Sequence, residues 1–91
     1  QTLREDAMEI KVGQLVYSKA GRDAGKFLAV TEVTESGIYV ADGKERPLER
    51  PKRKNRKHLG TTTTVLDSGS MSTNRALRQA IKEYIAGQTL M

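Results

Sequence analysis

Short runs of alternating or β-rich residues occupy most of the chain, and one stripe of helical period follows them. Residues 14–19 read Gln-Leu-Val-Tyr-Ser-Lys, residues 26–33 Lys-Phe-Leu-Ala-Val-Thr-Glu-Val, and residues 38–41 Ile-Tyr-Val-Ala. Each is rich in β-branched and aromatic residues and bounded by glycine or charge, which predicts strands. A fourth run, 45–49, contains Pro47, which has no amide to donate, so it is expected at a sheet edge. Asp42-Gly43 before it reads as a hairpin turn. Thr61 to Leu66 has the β-propensity of a closing strand. In the second run Leu28 and Val30 share a face that regular alternation denies to Val33. A bulge near Thr31-Glu32 would return Val33 to that face and bend the strand.

Residues 74–86 carry Leu77, Ile81, Tyr84 and Ile85 at the spacing of one helical face. Ser72, Thr73 or Asn74 suits the start of this helix and Gly87 its end. The apolar stripe either docks on the strands or meets a partner, and a lone helix of this length is marginal in water. Arg75, Arg78 and Lys82 lie on its flank. The chain thus divides into a flexible arm (1–8), a strand-rich body (9–66), and a linker with a C-terminal helix (67–91).

Charge adds a second layer. Sixteen Lys and Arg face eleven Asp and Glu, a net charge of +5. Segment 50–58 alone holds six of those cations, Arg50, Lys52, Arg53, Lys54, Arg56 and Lys57, with His58 and no acid. The rest of the chain is nearly neutral. Such a strip is a solvated basic loop, a targeting tag or a contact for a polyanion. Only 36% of residues are apolar and 4% aromatic, so a modest core of Val, Leu, Ile and Ala is expected. Without cysteine there are no disulfides or thiolate metal sites. No apolar run reaches the length of a membrane span, and the charged N-terminus lacks the apolar centre of a secretory signal. A soluble cytoplasmic protein is expected, with no cofactor and no metal.

The stretch from Val12 to Val30 joins a strand, a charged loop bounded by Gly21 and Gly25, and a second strand. Glycines at these positions either turn the chain or let its backbone approach a ligand. Lys19, Arg22 and Lys26 surround that backbone, a combination suited to phosphate contacts. The pattern resembles the KOW motif. With Val40-Ala41-Asp42-Gly43, Leu48-Glu49-Arg50-Pro51-Lys52 and Lys57-His58-Leu59, it is similar to bacterial KOW-domain RNA-binding proteins. Those in turn are similar to the KOW-bearing large-subunit ribosomal proteins of archaea and eukaryotes. The resemblance spans residues 9–59 and continues more weakly into the C-terminal helix. Leu28 departs from it, since many KOW motifs carry glycine there, and Met8 falls where relatives begin.

The resemblance implies a mainly β fold, a small SH3-like barrel over 9–66 with a C-terminal amphipathic helix. It also implies binding to ribosomal or other structured RNA, in a ribonucleoprotein of the translation machinery such as the large ribosomal subunit, with ribosomal-protein contacts. The RNA-facing loop falls on Lys19, Gly21, Arg22, Gly25 and Lys26. The basic segment falls on Arg50, Lys52, Arg53, Lys54, Arg56, Lys57 and His58. Asn55 is a further candidate for a base edge, and Tyr17 and Tyr39 either stack a base or pack in the core. His58 is open to phosphate contact, stacking or plain exposure. Asp23 reads as a turn residue or a partner for Arg22.

Two catalytic readings fail. Residues 20–27 mimic a nucleotide-binding P-loop, but only three residues separate the glycines, and Phe27 stands where a hydroxyl must hold magnesium. A Ser-His-acid triad has no acid beside His58. An enzyme is not expected. The runner-up is an SH3-like protein-interaction module without direct RNA readout, although four aromatic residues supply a peptide groove poorly. Non-specific DNA binding is the third option.

Overall fold

The computed structural model describes residues 10–89; the expected arm, 1–8, lies outside them. Five strands, β1 (Gln14–Ser18), β2 (Phe27–Val33), β3 (Ile38–Ala41), β4 (Lys52–Lys54) and β5 (Leu59–Val65), precede one helix, α1 (Asn74–Thr89). All ladders are antiparallel, in the order β4-β3-β2-β1-β5. The fold is mainly β, as expected. No ladder joins β4 to β5 among the described residues, so hydrogen bonds do not close the sheet into a barrel.

The sheet is nevertheless rolled. β4 and β5 stand at its two edges, yet only Asn55 and a one-turn 3₁₀ helix, Arg56–His58, connect them. Five strands laid flat would separate those edges by about 19 Å. The link also joins opposite ends of the sheet, because Lys54 pairs with Ile38 at the start of β3 and Leu59 with Ser18 at the end of β1. The steps from Lys54 to Leu59 span at most about 17 Å fully extended, and the 3₁₀ turn shortens that reach. Only a curled sheet satisfies the connection. Register shifts at Gln14/Val16 and Val30/Glu32 supply the bends. The second is the expected bulge, and it sets Val33 opposite Ile38 on the face of Val30 and Val40.

Curling explains how both faces are buried. Val16, Leu28, Val30, Ile38, Val40 and Leu59 pack against one another and Ile10 on the inner face. On the outer face Leu15, Ala29 and Ala41 receive Leu77 and Ile81 of α1. Ala29 and Ala41 are register partners, and their small side chains let the helix approach closely. Ile85 stays 40% exposed, so the docked stripe is narrower than its sequence spacing suggests. A Cβ at Gly60 would overlap the Tyr17 ring, which covers its cross-strand partner. Among the described residues no helix is long and apolar enough to cross a membrane.

Three expectations are corrected. Residues 45–49 form no strand; the fourth strand is Lys52–Lys54, inside the basic segment. The Asp42 carboxylate accepts from the amides of Lys44 and Arg46, while the Asp42 and Gly43 amides donate to the Arg46 carbonyl. These bonds hold 42–46 as a tight turn. That turn is not a two-residue hairpin, since within it only Gly43 has positive φ (80°) and the next strand, β4, begins only at Lys52. Gly87 does not end the helix, which continues to Thr89. It lacks the left-handed φ that a glycine cap requires.

Candidate nucleic-acid interface

The loop between β1 and β2 is closed by the Ser18 amide on the Lys26 carbonyl (3.0 Å) and the Gly25 amide on the Ser18 carbonyl (2.8 Å). Gly21 and Gly25 take φ of 80° and 86°, a region that other residues rarely enter. A Cβ at Gly25 would meet nothing within 4 Å, so its backbone is open on that side. The Ser18 hydroxyl donates to the Ala20 carbonyl at 2.8 Å and steadies the loop's first turn.

Beneath the loop lies a buried ionic cluster. Asp23 is 3% exposed, and its Oδ2 sits 3.3 Å from both Lys54 Nζ and an Arg46 guanidinium nitrogen. Lys54 also donates to the Ala20 carbonyl at 3.2 Å. Burial by itself would raise the Asp23 pKa. Hydrogen bonds and charge from Arg46 and Lys54 outweigh it and hold the carboxyl below its ordinary value. This arrangement corrects two expectations. Lys54 is buried and committed to the scaffold, so it does not face a ligand. Asp23 is the expected turn residue, its carbonyl accepting from the Lys26 amide at 2.9 Å, but its carboxylate partners Arg46 and Lys54, not Arg22. The reason lies in strand parity: Lys54 pairs with Ile38 and shares its inward face.

The same contacts bring the two predicted regions together. The Lys19 amide donates to the His58 carbonyl at 2.8 Å, and Lys54 reaches under Gly21. Lys19 and Arg22 on the loop, and Arg56, Lys57 and His58 on the 3₁₀ turn, are all exposed. Arg50 and Lys52 are exposed along the β4 edge. Arg53 is turned elsewhere, donating to the Ser36 carbonyl at 2.7 Å. Lys26 pairs with Glu45 at 2.8 Å in solvent; that hydrogen bond and charge raise the Lys26 pKa and lower that of Glu45. An exposed pair of this kind stabilises little and exchanges readily for another anion. Asn55 caps the 3₁₀ turn by accepting from the Lys57 amide at 3.1 Å, so its carbonyl is engaged by the protein itself.

Of the two tyrosines, Tyr17 is 38% exposed and meets Phe27 edge-on, with centroids 5.9 Å apart. Tyr39 is half-buried and pairs across the sheet with Arg53. The contribution missed at the sequence level is that of Arg46. A lone acid, Asp23, inside a cation-rich loop was the available signal, because a buried carboxylate needs more than one donor. No protein-family model matches the chain.

Proposed function

We propose that this protein binds RNA through the loop at 19–26 and the basic segment at 50–58, acting as one continuous surface. The backbone bond between Lys19 and His58 carries the reading, since it joins two cationic elements distant in sequence. Lys19, Arg22, Arg56 and Lys57 neutralise phosphates, with Lys26, Arg50, Lys52 and His58 extending the surface; Arg53, held on the Ser36 carbonyl, is left out of it. Gly21 and Gly25 let the backbone come close to the sugar-phosphate chain. Lys54 serves by holding the two elements together. The KOW resemblance adds a partner and a finer fold: ribosomal RNA of the large subunit, bound in the cytoplasm, and an SH3-like barrel. The rolled sheet and the one-turn link between β4 and β5 support that barrel reading. The role is structural recognition, with no catalysis.

The test is RNA binding measured across a salt series, with Lys19, Arg22, Arg56 and Lys57 replaced by Gln. Removing one phosphate interaction flattens the slope of log K against log salt by about 0.7–0.9. An unchanged slope rejects the assignment. Equal competition by duplex DNA would reassign the surface to general polyanion binding.

A further inference from the structure

A groove of about 800 Å³ opens from the Gly25-Lys26 end of the loop and runs between the turn after β3 and helix α1. Lys26 and Lys44 line one side, and Arg75 and Lys82 line the other. Phe27, Ile81 and Ile85 form an apolar lining between them. The two acids present are already engaged: Asp42 accepts from backbone amides at 2.8 and 2.9 Å, and Glu45 holds Lys26 at 2.8 Å. Among the described residues, Lys44, Arg75 and Lys82 have no acidic partner. Arg78 is committed to the Gly43 carbonyl at 2.8 Å and braces the groove instead.

We propose that this groove takes an unpaired stretch of the same RNA as it leaves the loop, giving α1 a binding role. The inference rests on the RNA-binding reading above. Uncompensated cations on both walls match phosphates, and the apolar lining matches a base face, which only an unpaired strand exposes. Phe27 is fixed edge-on between Tyr17 and Tyr84, at centroid distances of 5.9 and 5.3 Å, so little ordering is needed on binding. An acidic amphipathic peptide would satisfy the same chemistry. Continuity decides for RNA, because Gly25 and Lys26 belong to both surfaces.

The experiment compares a hairpin RNA with and without a single-stranded uridine extension, binding to the wild-type protein and to an R75Q/K82Q variant. Both side chains are exposed and Gln is a good helix former, so the variant keeps its helix. The wild type binds the extended RNA more tightly. Two single-strand phosphate contacts make that advantage fall about sevenfold between about 50 and 200 mM salt. The variant binds both RNAs equally, at the wild-type hairpin affinity. Equal binding of the two RNAs by the wild type, or an advantage retained in the variant, overturns the groove assignment while hairpin binding stands. Failure of the wild type to bind either RNA overturns the RNA-binding reading itself. Tighter binding of an acidic, leucine-bearing peptide than of the extension, abolished in the variant, overturns the inference in favour of a protein partner.

Discussion

The Lys54 ammonium lies 3.3 Å from the Asp23 carboxylate, 9% and 4% exposed respectively, and thereby pins the glycine loop to the edge strand β4. Removing one member of a buried pair leaves the other charge uncompensated. Arg46 remains beside Asp23, so Lys54→Ala should destabilise the fold by about 2–3 kcal/mol. Urea denaturation measures this. Lys57→Gln should do the opposite: stability unchanged within about 0.5 kcal/mol, and a flatter salt dependence of RNA binding. If Lys54→Ala is as neutral as Lys57→Gln, the cluster does not hold the loop.

The carboxylates set the response to acid. Asp23, Glu49 and Asp67 all titrate below their ordinary values in the folded protein. For Asp23 the donors overcome burial; Glu49 is held by the Asn74 amide, and Asp67 by the Ser70 amide. The unfolded chain therefore binds more protons than the folded one between the two pKa values, and stability rises with pH there. Their contribution is complete above about pH 5 and is lost progressively as pH falls below 4.5 for Glu49 and below 3.8 for Asp23 and Asp67. Asp23→Asn should shrink the acid-induced loss seen by circular dichroism, at the cost of lower stability at neutral pH. An unaltered pH dependence would reject the pairing.

Glycine substitutions separate backbone strain from crowding. Gly25 has φ of 86° with open space around it, so Gly25→Ala costs only the left-handed penalty, about 1–2 kcal/mol. Gly43 has φ of 80°, and a Cβ there would overlap the Asn74 carbonyl. Gly43→Ala should therefore cost more, and hydrogen exchange should show the extra loss in α1. Equal exchange in both variants would mean the turn does not seat the helix.

Leu77 is fully buried beneath α1 against Leu15, Ala29 and Ala41. Leu77→Ala should cost about 2–4 kcal/mol by opening a cavity. Asn74→Ala should cost about 1–2 kcal/mol, because its side chain accepts from the Leu48 amide at 2.7 Å and donates to Glu49 at 2.9 Å. A single cooperative transition in both variants would show that α1 and the sheet unfold as one unit.

Much of the fold was legible because it rests on local preference. β1, β2, β3 and β5 follow runs of β-branched and aromatic residues, and the bulge before Val33 follows from broken alternation. The 45–49 run misled because its β-like pattern competed with Asp42. That carboxylate binds two amides and folds the segment into a turn. β4 was hidden since three charged residues carry no apolar alternation, and its pairing with β3 supplies what propensity does not. The candidate interface was legible in its cations and glycines, and illegible in the division of labour among them.

Residue types along the chain were enough to determine four of the five strands, the helix, the unusual backbone angles of Gly21 and Gly25 and the strip of positive charge, because periodicity and backbone sterics act over a few neighbours. Tertiary structure alone decided that Lys54 turns inward while Lys57 stays in water, and that Arg46 joins Asp23. Those outcomes depend on strand parity and on a roll of the sheet that brings Lys54 to Ala20 across 34 positions of chain. Such a contact has no local signature, since its energy exists only once the two edges have curled together.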